Sequence, residues 1–191
     1  MRATYSQSNM NYQEIEGDLI KLTKQGTFDV ITHGCNCLSN MGAGIAPQMA
    51  KAFGVDKYSL ESLGENIDKL GRIDYEMNCI MELEGEVRVY NPLHNGLNFS
   101  IKDWKLIKDV FVVNSYTQFR YGKNHTDGVS KPLDYDALTM CMRKINHQFK
   151  GKHIGLPKIG AGLAGGDWNR IKTIIQTELK DMKVSVVIYK P

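Results

Sequence analysis

Apolar positions along the chain switch between two periods, and the switches mark the elements. Tyr12 to Ile15 alternates and predicts a first strand, ending at Gly17–Asp18–Leu19. Phe28 to Thr32 predicts a second strand, after which His33–Gly34–Cys35–Asn36–Cys37 reads as a polar turn. A glycine bend follows, Gly42–Ala43–Gly44. Ile45, Met49, Ala52 and Phe53 then fall on one side of a helix that Gly54 stops. Residues 56–70 carry apolar positions at mixed helical spacing, one helix or two short ones broken at Gly64. Ile73–Met81, Val87–Tyr90 and Val110–Tyr116 are rich in β-branched and aromatic residues and predict three strands. Between the last two, residues 92–109 read as a surface insertion with a short helix. Residues 120–132 read as a second long loop. Leu133–Phe149 has Leu138, Met142 and Ile145 at helical spacing, His153–Pro157 predicts a strand, and Lys158 to Gly166 is glycine-rich. Asp167 is placed to cap a helix over Trp168–Met182, and Val184–Tyr189 predicts a last strand. Strands and helices alternate through both ends, so the expected class is α/β, a mixed sheet covered by helices on both faces.

Composition narrows this only a little. A chain of 191 residues favours one domain with a sizeable core, so residues 11–191 are taken as one domain and the polar residues 1–10 as a disordered extension. The net charge of +3 does not call for nucleic acid, and Lys102, Lys105 and Lys108 are interleaved with Asp103 and Asp109, which reads as a solvated face. Cys35 and Cys37 lie in a C-x-C turn without the C-x₂-C spacing or second ligand pair of a zinc site. Successive odd positions of an extended stretch are poorly placed for a disulfide, so Cys35, Cys37, Cys79 and Cys141 are read as reduced thiols and the location as cytoplasmic. No apolar run approaches a membrane span, and the N-terminal residues lack a signal-peptide core.

Candidate chemistry lies in the two strand–glycine–helix units at residues 42–44 and 160–166. Glycines let backbone N–H groups approach an anion, and a following helix start adds partial positive charge. Neither loop has the lysine of a P-loop or the dinucleotide G-x-G-x-x-G fingerprint. Singly they are ordinary turn chemistry; as a pair they favour an anionic ligand such as a pyrophosphate.

Four motifs in this order carry a family resemblance: Gly17–Asp18–Leu19, the I-T-H-G-C-N turn, G-A-G-I-A, and I-G-A-G-L-A-G-G-D-W. Together they resemble a macrodomain, the ADP-ribose-binding module, over Ile15 to Tyr189. The His33–Cys37 variant is similar to ADP-ribose-1″-phosphate phosphatase-like macrodomains of yeast, bacteria and phages. The resemblance implies a three-layer α/β/α fold. It also implies that Asp18 accepts the adenine amine with Leu19 beside the ring, and that Asn36 holds the distal ribose. Gly42, Ala43, Gly44 and Ile45 would line one side of the pyrophosphate and Gly160, Ala161, Gly162, Leu163 and Ala164 the other, with the aromatic Tyr189 near the adenine. No cofactor or metal is implied, and the partner is a small molecule, ADP-ribose or its 1″-phosphate, bound by a monomer away from membranes. Nucleic acid enters only as an ADP-ribosylated substrate.

The same residues have plainer readings. Asp18 and Asn36 suit turns, Asp167 suits a helix cap, Tyr189 an edge strand and Trp168 the core. His33 is either a hydrogen-bonded core histidine or the acid, base or nucleophile of a phosphatase, with Asp167 orienting it and Asn36 completing the catalytic set. Cys35 lacks a base and fits a strand end. The rival chemistry removes ADP-ribose from protein or DNA. A related subfamily does this with a lysine and an aspartate at positions where this chain has Gln118 and Ala164, although Arg120, Lys123 and Lys131 stand nearby. The third reading is a module that binds ADP-ribose without turning it over.

Overall fold

A computed structural model describes residues 11–65, 68–94, 102–122 and 131–190. The expected extension at 1–10 and parts of both long loops lie outside the described residues. Chain order runs β1 (Tyr12–Glu16), α1 (Leu19–Lys24), β2 (Val30–Asn36), α2 (Ala46–Phe53), α3 (Ser59–Ser62), β3 (Ile73–Leu83), β4 (Glu86–Tyr90) and β5 (Lys105–Gln118). It closes with α4 (Tyr135–Gln148), β6 (His153–Leu156), α5 (Trp168–Glu178) and β7 (Lys183–Ile188). Among the described residues seven strands form one sheet in the order β1-β7-β6-β2-β5-β3-β4. The first five in that order are mutually parallel, whereas β3 is antiparallel to both β5 and β4. The expected mixed sheet is therefore present.

Period-2 alternation along the strands builds a core on each face. Val30 packs with Leu138, Met142 and Ile145 of α4 and Ile171 and Ile175 of α5. Its neighbour Ile31 packs on the other face with Leu19 of α1 and Met49 and Phe53 of α2. Gly54 closes α2 in the left-handed conformation at φ 67°, as its sequence position predicts. Asp134 caps α4 by accepting from Ala137 N at 2.9 Å. No helix among the described residues is long and apolar enough to cross a membrane.

Four expectations are corrected. Residues 33–36 are not a turn: β2 runs on through Asn36, pairing His33 with Asn114 and Asn36 with Gln118 across a bulge. The polar run is strand because β5 supplies its partners, with Thr32 Oγ1 2.7 Å from Ser115 Oγ. β5 begins at Lys105, so the insertion is shorter than 92–109 at its end, and Lys108 is paired with Asp29 at 2.6 Å rather than freely solvated. The stretch after Gly54 is a 3₁₀ turn at Val55–Lys57 followed by the four-residue α3. The last helix stops at Glu178 and not at Met182.

Glycine is required inside β6. A Cβ on Gly155 would lie 2.7 Å from the Phe28 ring, and Phe28 is itself fully enclosed. Gly155→Ala is therefore expected to cost about 1–3 kcal/mol by overpacking. It would be read as a lower urea midpoint at unchanged m-value, and an unchanged midpoint would mean that the Phe28 side chain yields without cost.

Candidate functional site

The carboxyl ends of the parallel strands all open on one edge of the sheet, where open α/β sheets collect ligands. β1 delivers the chain to Asp18, which caps α1. Asp18 Oδ1 accepts from Ile20 N at 2.9 Å and Lys21 N at 3.0 Å. Both bonds fall on one oxygen, and Oδ2 has no hydrogen-bond partner among the described residues. The same residue lines a cavity of about 310 Å³ with Leu19, Gly44, Ile45, Val187 and Tyr189. Apolar walls and a single carboxylate acceptor suit a flat heterocycle that bears an exocyclic amine. Tyr189 stands just past the end of β7 and is 66 % exposed, leaving its ring face open at the mouth.

The two glycine loops meet beside this cavity. A Cβ on Gly44 would lie 3.9 Å from Leu163 Cδ1. The second loop is folded on itself: Ala161 N donates to Lys158 O, Gly165 N to Gly162 O and Gly166 N to Gly160 O at 2.8 Å. Gly160, at φ 74°, has no room for a side chain, because a Cβ there would sit 2.8 Å from Leu133 Cδ1. This fold leaves the N–H groups of Gly162, Leu163 and Ala164 without partners among the described residues. Across from them, Gly42 N is taken by Asn40 Oδ1 at 2.9 Å, whereas the Ala43 and Gly44 N–H groups have no such partner. Ile45 then opens α2 without any side-chain cap. Uncommitted donors on two adjoining loops, with a helix start that has no side-chain cap, suit negative charge.

No family model matches the chain. An uncharacterized 17.5 kDa protein of the tk-vs intergenic region of phage T4 is 30% identical over 181 residues, which span 93% of this chain and 96% of that protein. The macrodomain of Thermus aquaticus DarG superposes with a TM-score of 0.58 at 19% identity, over 94% of this chain and 98% of that one. Thermosipho africanus DarTG in complex with ADP-ribose superposes with a TM-score of 0.60 at 16% identity, over 95% of this chain and 42% of that one. The chain belongs to the family of the phage T4 protein, and its fold is that of the macrodomains.

Within this fold the three residues expected to carry catalysis are not brought together. His33 is wholly buried on β2, its Nε2 2.7 Å from Asn114 Oδ1 and 3.7 Å from Cys35 Sγ. Burial lowers its pKa to about 4, only partly opposed by the Asn114 hydrogen bond, so the ring is neutral at pH 7 and donates to Asn114 Oδ1. It has no path to a ligand, and the catalytic expectation gives way to the core-histidine one. Asn36 turns its amide inward on its own loop: Oδ1 accepts from Leu38 N and Asn40 N, and Nδ2 donates to Asn40 O at 2.7 Å. It braces residues 36–40 instead of reaching a ribose. Asp167 Oδ1 accepts from Arg170 N at 2.9 Å and caps α5, while its N–H donates to Tyr135 Oη. It makes no bond to His33.

The remaining candidates divide clearly. Asp18, Leu19, Gly44, Ile45 and Tyr189 share the cavity, whereas Gly42, Ala43 and Gly160–Ala164 lie outside its lining, on the adjoining loops. Trp168 is half-buried against the core, with Lys158 Nζ 5.1 Å from its ring centroid. The Cys35 thiol is pushed well up by burial, which disfavours a thiolate nucleophile. Gln118 donates from Nε2 to Arg120 O at the end of β5, and Lys131 runs against Gly165; Lys123 lies outside the described residues. Sequence reasoning missed Gln48, Pro157 and Val187, which also line the cavity. Pro157 and Val187 sit where β6 and β7 end, a position that the strand pattern alone marks as ligand-facing.

Proposed function

We propose that this macrodomain binds ADP-ribose and hydrolyses the phosphomonoester of ADP-ribose-1″-phosphate. The reading rests on one observation above all. A cavity of about 310 Å³, lined by Asp18 with one unpartnered carboxylate oxygen, adjoins two glycine loops whose N–H groups at Ala43, Gly44 and Gly162–Ala164 have no partner among the described residues. Asp18 Oδ2 accepts from the adenine amine, Leu19 and Ile45 hold the ring faces, and Tyr189 covers the mouth. The N–H groups of Gly44 and of Gly162–Ala164 hold the pyrophosphate. The neighbour from Thermosipho africanus is a complex with ADP-ribose, which supports the same ligand here.

The phosphatase step needs little covalent help from side chains. Phosphoryl transfer passes through a loose transition state, and positioning with electrostatic stabilisation supplies most of the catalysis. Water attacks the 1″-phosphorus in line as its bond to the ribose 1″-oxygen breaks. One hydrogen of that water stays on the released phosphate and the other goes to the ribose oxygen, so the step balances without an imidazole, with the Ala43 N–H as the donor not spent on the pyrophosphate. The reading as a non-catalytic ADP-ribose module draws on a specific observation too. His33, Asn36 and Asp167 are each committed to structural bonds, so no side chain of that set is free to move a proton.

A turnover panel separates the two. Purified protein is offered ADP-ribose-1″-phosphate, glutamate-linked ADP-ribosyl protein and thymidine-linked ADP-ribosyl DNA, with calorimetry on ADP-ribose in parallel. Inorganic phosphate from the first substrate alone is the expected result. Binding without turnover of any substrate would make this a reader, and ADP-ribose released from protein or DNA would replace the phosphatase with a glycohydrolase.

A further inference from the structure

Lys69 is the lysine that the fold encloses completely among the described residues. Enclosing an ammonium is costly unless it is paired, so its partners indicate what it is for. Its Nζ donates to Ser39 Oγ at 2.6 Å and stands 5.3 Å from the centroid of the Tyr116 ring. Ser39 Oγ in turn donates to the Glu61 carbonyl oxygen at 3.2 Å. The hydroxyl thus accepts from the ammonium and passes its own proton to a backbone acceptor on α3. Glu61 buries its carboxylate close by: both charges act on the Cys35 and Cys37 thiols, and Glu61 Oε1 has no partner. Ser39 itself is held at φ 54°, in the left-handed region that a serine rarely adopts. It sits in the bend that leads from Asn36 to the first glycine loop.

We propose that Lys69 is a positioning residue for that loop: its bond to Ser39 Oγ holds Ser39 left-handed and so aims the Ala43 and Gly44 N–H groups across at Leu163. The relay from Lys69 through Ser39 to Glu61 ties three separate segments at one oxygen. No apolar residue could replace it, because Ser39 needs a donor there to keep its own hydroxyl pointing at Glu61. The inference rests on the reading of the cleft as an ADP-ribose site, but the lock itself is measured without ligand.

The test is hydrogen exchange on the unliganded protein, comparing wild type with Lys69→Met and Ser39→Gly. The reporters are the amides of Asn40 and Gly42, bonded to Asn36 Oδ1 and Asn40 Oδ1. Both should exchange at least tenfold faster in each variant, while the amides of β6 and β7 keep their wild-type rates. Ser39→Gly accepts the left-handed backbone freely, so loosening in that variant assigns the hold to the hydroxyl and not to backbone strain. Lys69→Arg, which keeps a donor, should restore part of the protection. In calorimetry, ADP-ribose should weaken at least tenfold in Lys69→Met. Unchanged exchange at Asn40 and Gly42 overturns the proposal, and so does equal acceleration in β6, which would make Lys69 a general core residue. Should Lys69→Met not fold, Ser39→Gly decides alone. Faster loop exchange in a protein whose wild type binds no ADP-ribose would uphold the lock and overturn the function proposed for the cleft.

Discussion

Asp18→Asn is expected to weaken ADP-ribose binding at least tenfold, about 1.4 kcal/mol or more, while leaving the fold intact. The two carboxylate oxygens have separate duties. Oδ1 holds the start of α1 through Ile20 N and Lys21 N, and an asparagine oxygen caps a helix about as well. Oδ2 has no hydrogen-bond partner among the described residues, and in asparagine the second group becomes an amide N–H₂. A donor would then confront the adenine amine, and a charge-assisted hydrogen bond would be replaced by an unpaired contact. Asp18→Ala should lose binding to a similar degree and also about 1 kcal/mol of stability, because the cap goes with it. Calorimetry with ADP-ribose and urea unfolding on both variants separate these effects. Wild-type affinity in Asp18→Asn would reduce Asp18 to a helix cap and remove the main support for an adenine subsite.

Stability is expected to fall by about 3 kcal/mol between pH 6.5 and pH 4 on account of His33 alone. The unfolded imidazole titrates near pH ~6.5, whereas burial holds the folded one down to about 4. In that window the unfolded chain binds the extra proton and the folded chain does not. Acid therefore pulls the equilibrium toward unfolding, and the stability present above about pH 6.5 is lost as the pH falls. His153, also lowered chiefly by burial, adds a contribution of the same sign. Urea unfolding at several pH values should give a slope in this range that His33→Gln largely removes. An equal slope in the variant would place the proton uptake elsewhere. A catalytic histidine open to the cleft would titrate near its ordinary value and impose no such penalty, so the same experiment bears on where His33 points.

How far the sequence reveals this molecule depends on which physical signal each part sends. The helices α2, α4 and α5 are legible because their apolar residues recur at helical spacing and Gly54 and Asp167 mark their limits. The far half of β2 is illegible for the opposite reason. His33 and Asn36 are polar, and only the pairing with Asn114 and Gln118 on a strand some eighty residues later makes them strand residues. α1 escaped notice because six residues carry little periodicity, and it is the Asp18 cap that sustains it. Motif order points to residues 18, 19, 44, 45 and 189, which share one cavity, but does not fix side-chain direction. Asp18 and Asn36 look equally suited to a ligand in the sequence, yet one leaves an oxygen open and the other spends its amide on its own loop. Lys69 gave no sign at all, since a lysine in a mixed polar stretch is normally at the surface.

The sheet order has a further consequence for how the cavity beside Asp18 comes into being. Among the described residues β1 has β7 as its only neighbour in the sheet, with Tyr12 registered against Val184 and Glu16 against Ile188. The cavity wall is likewise drawn from Asp18 and Leu19 on one side and Val187 and Tyr189 on the other. A chain that has emerged only through α5 can pair β2, β5, β3 and β6, but it has neither the β7 partner of β1 nor the Val187 and Tyr189 wall of the cavity. The wall closes when β7 pairs with β1, a closure that joins Gln13 to Ser185 across 172 positions of the chain. A ligand able to capture that pocket would act late, on a chain whose central sheet is already in place.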